Sequence, residues 1–265
     1  MPEVRNARHM VLVHGAWQGS WSFATWRPFL EAAGWTVHAV DLPGNGWGEQ
    51  GAAPASLDTY TAHVADIISA IDAPVVLVGH SGGGVTISQV AERMPDRVAA
   101  LVYLAGMMLP SAMSYGELLG QVALEHPGVD LRGVGSWLDW DEGRTASTVR
   151  EEGALLCFVQ DCEIDAARKV ATLLRAQPES GRAMRNTLSA EHFGRVPRIY
   201  VECSHDQSVL LPIQQHMQKL SPGAVRVVLD CGHVPQLAQP ERLTALLLPH
   251  LEPLVNAARG EPASI

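Results

Sequence analysis

Short runs of Val, Ile and Leu alternate along the chain with longer stretches in which apolar residues recur at helical spacing. The short runs are Met10–Val13, Thr36–Val40, Val75–Val78, Val98–Leu104, Arg198–Glu202 and Val225–Leu229. They are apolar at consecutive positions, which predicts strands buried on both faces, as in a parallel sheet. Between them, Tyr60, Val64, Ile67 and Ile68 make one helical stripe behind a capping Ser56. Trp26, Phe29, Leu30 and Ala33 make a second, stopped by Gly34. Ile213, Met217 and Leu220 make a third before Pro222-Gly223, and Leu243, Leu246, Leu247 and Leu251 line the last helix. Strands alternating with helices predict an α/β fold with a mostly parallel six-stranded sheet flanked by helices.

The alternation breaks between Leu109 and Arg195, where no core strand is legible. Leu118, Leu119 and Val122 predict one helix there, and Ala166, Ala167, Val170, Leu173 and Leu174 another. Trp137 and Trp140 fall in an irregular acidic patch. The pattern divides the chain into a core of residues 1–108 and 196–265 and an inserted, mainly helical cap over residues 109–195. The tail from Ala257 to Ile265 reads as a frayed end.

Composition narrows the function. Of 265 residues, 47% are apolar and 18% charged, enough for a large core and too few charges for a disordered chain. With 19 basic against 28 acidic residues and no Lys/Arg cluster, nucleic acid and anionic membrane surfaces are poor partners. No apolar stretch approaches the ~18 residues of a membrane span, and the polar start, Met1 to His9, does not read as a signal peptide. Cys157, Cys162, Cys203 and Cys231 match no zinc spacing and read as free thiols in a reducing cytoplasm; no metal site is expected.

Gly79-His80-Ser81-Gly82-Gly83 carries the chemistry. This G-x-S-x-G follows an apolar strand and precedes a helix-compatible run, Val85 to Arg93. That context makes a sharp turn which lifts the serine hydroxyl clear of the sheet edge, and the turn needs small neighbours. Serine is a weak nucleophile at neutral pH and needs a base. His233, in Cys231-Gly232-His233 between the last strand and the last helix, is the best placed of the 11 histidines. His14 and His80 also flank glycines at the site, with orientations read as structural. The orienting acid is assigned to Asp206, just after the strand Arg198–Glu202, with Asp230 as the rival and Glu202 as a further alternative. The order Ser81, Asp206, His233 is that of this strand–helix architecture. The backbone N–H groups of Gly82 and Ala16 are the expected oxyanion donors.

At these residues the chain resembles the α/β-hydrolase superfamily. Within it, the chain is similar to the branch of plant methyl-ester esterases, hydroxynitrile lyases and bacterial pyrethroid- and carbamate-type esterases. The resemblance rests on Val11 to Trp17, Leu30 to Gly34, Val78 to Ser81, Leu101 to Gly106, Tyr200 to Asp206 and Gly232 to Glu241. It covers residues 9–109 and 196–252, and the cap only loosely. It implies a cap over a buried apolar pocket, no cofactor and, frequently, a homodimer. It also implies hydrolysis of small-molecule carboxylic esters, apolar or aromatic, through an acyl-enzyme. Trp17, His80, Met107, Met108, Trp137, Trp140 and Val234 are candidate pocket residues. The lyases of this branch carry a threonine beside the oxyanion loop and a lysine after the catalytic histidine. Gly15 and Val234 occupy those positions here and favour an esterase. A small-ligand receptor that kept the triad is a third reading. Gly82 is a further departure, since relatives usually carry a large apolar side chain there.

Overall fold

The computed structural model describes residues 8–46 and 54–258. The polar residues 1–7 and most of the predicted frayed tail, 259–265, lie outside them. In chain order the first half comprises β1 (Arg8–Val13), α1 (Arg27–Ala32), β2 (Trp35–Val40), α2 (Leu57–Ser69), β3 (Val75–His80), α3 (Gly83–Arg93) and β4 (Val98–Leu104). An insertion follows with α4 (Tyr115–Glu125), β5 (Leu138–Trp140), β6 (Ala146–Val149), α5 (Glu151–Cys157), α6 (Ile164–Leu173) and β7 (Gln177–Pro178). The chain then completes the core with β8 (Arg198–Cys203), α7 (Leu211–Leu220), β9 (Ala224–Leu229), α8 (Pro235–Ala238) and α9 (Pro240–Ala258).

All six predicted core strands form, and they pair in the order β2-β1-β3-β4-β8-β9 with every neighbouring pair parallel. Alternate side chains feed two separate cores. Val11, Val13, Leu77, Leu101, Tyr103 and Tyr200 point to the face covered by α2, α3 and α7. Met10, Leu12, Val76, Val78, Val102 and Val201 point to the face that holds Trp26 and the α9 residues Leu243, Leu247 and Leu251. Burial on both faces is why these strands read as continuous apolar runs. Each such aliphatic side chain contributes about 1.5–3 kcal/mol by leaving water. Only β9, at the sheet edge, leaves Val225 and Val228 half exposed.

The predicted helix signals hold. Ser56 caps α2 with a full capping box through Thr59, and Gly34 takes a φ of +84° just past α1. The last helix runs through Ala258 despite Pro249 and Pro253. Among the described residues no helix is long and apolar enough to cross a membrane.

Strand order positions the site. β1 pairs with β2 on one side and β3 on the other, so successive connections leave β1 in opposite directions. The carboxyl ends of β1 and β3, with Val13 opposite Gly79, flank the resulting crevice, where open α/β sheets bind ligands. The insertion adds an unpredicted antiparallel sheet, β5-β6-β7, to its helices. Trp137 and Trp140 belong to this region rather than to an irregular patch: Trp140 lies in β5, and the preceding turn ends at Trp137. These strands have only three, four and two residues, too short for a period-2 signal to stand out.

Candidate active site

Ser81 follows β3 in a left-handed conformation, φ +50°. For a residue with a Cβ that is a strained turn, held here by three backbone hydrogen bonds. Its N–H donates to Leu104 O at 3.2 Å, and its carbonyl accepts from Met107 N at 2.8 Å and Gly84 N at 3.1 Å. The turn brings α3 hard against β1 and β3. A Cβ at Gly83 would come within 2.4 Å of Val13 O, and one at Gly79 within 2.7 Å of Gly83 O. The small residues of the motif are therefore a packing requirement.

His233 and Asp206 approach from the loops after β9 and β8. His233 Nδ1 lies 2.8 Å from Asp206 Oδ2, and both side chains are buried. The other carboxylate oxygen of Asp206 accepts from Ser208 N at 2.7 Å and Val209 N at 2.9 Å. Gln214 Nε2 donates to Oδ2 at 3.3 Å. Held by these donors, the Asp206 carboxylate aims the Nδ1–H tautomer of the imidazole. That tautomer leaves Nε2 as the base nitrogen. Among the described residues neither His233 Nε2 nor Ser81 Oγ has a hydrogen-bond partner, the usual condition before substrate tightens the contact. Phe158 stacks on the His233 ring with centroids 5.3 Å apart.

The rival acids are engaged elsewhere. Asp230 binds His205 Nε2 at 2.5 Å, and both side chains are about two-thirds exposed. Glu202 forms a two-pronged pair with Arg226 at 2.6 and 2.9 Å.

His14 and His80 are fully buried, and burial lowers the pKa of each, strongly so for His80, where the nearby His233 adds to the effect. Neutral His14 donates from Nδ1 to Gly15 O at 2.8 Å and accepts at Nε2 from Leu42 N at 3.0 Å. Neutral His80 donates from Nε2 to the His233 carbonyl at 2.8 Å. Its Nδ1 must then accept, so the Gln18 carboxamide, whose Oε1 position lies 3.0 Å away, is assigned the reversed orientation that offers its NH2 there. His80 therefore pins the His233 loop to the strand that carries Ser81.

Ala16 and Gly82, the expected oxyanion donors, meet at the crevice: the Cβ position of Gly82 is 3.7 Å from Ala16 N. The next residue, Trp17, has a φ of +63°, which is costly for an aromatic residue. The insertion holds it there. Trp17 N–H donates to Gln177 Oε1 at 3.2 Å, and Trp17 O accepts from Arg175 N at 3.0 Å. The indole N–H donates to Ser147 O at 3.1 Å and Ser147 Oγ at 3.2 Å. Sequence reading missed Gln177, Ser147 and Gln214, because a lone Gln or Ser in loops and short strands carries no periodic or motif signal.

A cavity of about 340 Å³ opens on Ser81, Gly82, Ala16 and Trp17. Of the pocket candidates Trp17 and Met107 line it, and His80, Met108, Trp137, Trp140 and Val234 do not. Met108 is buried in the main core, and His80 and Val234 are buried behind the site. Trp137 packs under Gly153 and Arg150, and Trp140 under Arg144 and Arg182. The walls include Leu119, Val134 and Met184 but also Asn45, Tyr60 and Gln177, so the pocket is more polar at one side than an apolar pocket would be.

The profile of the alpha/beta hydrolase family matches residues 10–246. A pyrethroid hydrolase of Sphingobium wenxiniae is 32% identical over 251 residues, covering 88% of this chain and 84% of that protein. Methylesterase 3 of Arabidopsis thaliana is 28% identical, covering 94% of this chain and 97% of its own. The crystal structure of a pyrethroid hydrolase from Sphingobium faniae superposes with a TM-score of 0.80 at 27% identity, over 93% of this chain and 98% of that one.

Proposed function

The chain belongs to the alpha/beta hydrolase family, and on that premise we propose that it hydrolyses small-molecule carboxylic esters with Ser81 as nucleophile, His233 as base and Asp206 as orienting acid. The observation that carries the assignment is the 2.8 Å contact between His233 Nδ1 and Asp206 Oδ2, in a loop that His80 ties to the strand leading into Ser81 and its left-handed turn. Ser81 Oγ attacks the ester carbonyl as His233 Nε2 takes its proton. The tetrahedral oxyanion accepts from the amides of Ala16 and Gly82. His233 then protonates the departing alcohol, and water, activated by the same nitrogen, releases the acid.

We read the insertion as a cap, because its residues Tyr115, Gln177 and Arg182 line the same cavity as Ser81. A reducing cytoplasm is the compartment we assign, a reading supported by four free cysteines, three of them buried. Cyanohydrin cleavage is disfavoured on two grounds. Val234 is a buried apolar residue with no charge to hold cyanide, and a Cβ at Gly15 would come within 2.7 Å of the Ser81 Cβ, so a threonine does not fit there.

The test is multiple-turnover hydrolysis of a simple aryl ester by wild type and Ser81→Ala. The expected result is saturable turnover in wild type and a kcat lower by about four to six orders of magnitude in the folded variant. A single turnover followed by retention of product would favour the receptor reading.

A further inference from the structure

We propose that Asn45 and Thr86 form a hydrogen-bonding subsite in the cavity for an acceptor oxygen, an ether or second carbonyl, in the non-reacting part of the ester. This rests on the esterase reading above and names the substrate class within it.

The orientation of Asn45 follows from a chain of hydrogen bonds that starts at the oxyanion loop. Gln177 Oε1 accepts from Trp17 N–H at 3.2 Å, so its Nε2 is the donor and faces Pro178 O at 3.1 Å, Tyr60 OH at 3.3 Å and Asn45 Oδ1 at 3.4 Å. The Tyr60 hydroxyl, receiving from Gln177, sends its own proton to Asn45 Oδ1 at 2.5 Å. Both neighbours are donors, so Asn45 must meet them with its oxygen. Its Nδ2 hydrogens then point away from the pair. They have no protein partner among the described residues, although Asn45 is 2% exposed and lines the cavity.

Thr86 supplies a second, independent sign. It lines the same cavity from the first turns of α3, it is fully buried, and its Oγ1 has no hydrogen-bond partner. A helical threonine ordinarily satisfies its hydroxyl on the preceding turn, and this one does not. The same cavity is also lined by the apolar Leu42, Met107, Leu119 and Met184. A ligand that fills such a space with hydrocarbon strands both polar groups, whereas one that places an oxygen there satisfies them. Sites of this kind reject the analogue that lacks the polar group more strongly than a hydrophobic wall rejects an extra methylene.

Matched esters test the proposal. One series pairs 4-nitrophenyl esters of 4-, 5- and 6-oxoalkanoic acids with analogues in which a methyl branch replaces the ketone oxygen. The other pairs 2-methoxyethyl with butyl benzoate. In at least one pair, wild-type kcat/KM should favour the acceptor-bearing member by about tenfold or more. Asn45→Leu should bring that ratio close to one while the hydrocarbon member is still hydrolysed. Thr86→Val, which keeps the shape of the side chain, should reduce it by about threefold or more. Affinities of the same compounds for Ser81→Ala should show the same preference without chemistry. If wild type shows no preference in any pair, or if the ratio survives Thr86→Val and a folded Asn45→Leu, there is no such subsite. If Asn45→Leu does not fold, the Thr86→Val ratio decides alone. A preference in binding to Ser81→Ala, with no hydrolysis of any ester by wild type, would uphold the subsite and overturn the esterase reading.

Discussion

The backbone N–H of Trp17 donates to the side-chain oxygen of Gln177 at 3.2 Å, joining residues 160 apart in sequence. Trp17 follows Ala16, whose amide is a proposed oxyanion donor, and it sits at a φ of +63° that its own side chain disfavours. A strained residue keeps such a conformation only when its surroundings over-determine it. Here they do so through Gln177, Arg175 and Ser147, all from the insertion. The insertion therefore fixes the loop backbone beside the proposed oxyanion donor Ala16.

Gln177→Leu should loosen that loop. The expected effect is a fall in kcat of about tenfold or more, smaller than the loss of an oxyanion donor itself, with KM for a simple acetate little changed. Ser147→Ala, which removes one of two contacts to the indole, should have a smaller effect. A Gln177→Leu enzyme altered only in KM would mean that the side chain shapes the cavity and not the donor.

Asp206→Asn should lower kcat by about three to four orders of magnitude, because the carboxamide no longer favours the Nδ1–H tautomer or stabilises the imidazolium. Asp230→Asn should leave kcat within about twofold of wild type, since that carboxylate serves an exposed pair with His205. The reverse pattern would transfer the acid role to Asp230.

Gly82→Leu tests the pocket beside the reacting carbonyl. Gly82 has an ordinary helical φ of −56°, and its added Cβ would touch nothing nearer than Ala16 N at 3.7 Å. The backbone therefore has no need of glycine, and the variant should fold. Its kcat/KM on branched or aromatic acyl esters should fall about tenfold relative to acetates of the same alcohol. An unchanged ratio would show that this position does not bound the acyl space, and loss of both activities would show that the turn itself requires glycine.

Stability should fall in mild acid. Burial holds His14 and His80 neutral in the fold and lowers their pKa values, while the unfolded chain takes up both protons near the ordinary histidine value of about 6.5. The unfolded state thus binds more protons below that pH. The stabilisation is complete above about pH 6.5 and is lost as pH falls, at about 1.4 kcal/mol per pH unit for each histidine. Urea unfolding between pH 7 and 5 should show this slope, and His80→Gln should reduce it by about one proton. An unchanged slope in His80→Gln would mean that His80 is charged in the fold.

Much of this was legible in the sequence, for identifiable reasons. Core strands such as Val75–Val78 are buried on both faces, so their signal is a plain apolar run, and Ser56 and Gly34 mark helix ends by local chemistry alone. Ser81, Asp206 and His233 each follow a strand, so chain order indicated that they share one sheet edge. The β5-β6-β7 sheet was not legible, because its strands are too short to show a period. Trp137 and Trp140 looked like pocket walls because large aromatics often are, yet their rings are taken up by Arg150, Arg144 and Arg182. Gln177 and Asn45 matter through contacts more than 100 residues distant, which local pattern cannot encode.

The most direct test of the central claim is covalent. The wild-type chain is treated with a fluorophosphonate, digested and mapped by mass spectrometry, with Ser81→Ala treated in parallel. One adduct on Ser81, with loss of ester hydrolysis in proportion to labelling and no adduct in Ser81→Ala, is the predicted result. An adduct on another residue, or hydrolysis that persists in the fully labelled protein, would contradict the assignment of Ser81 as the nucleophile.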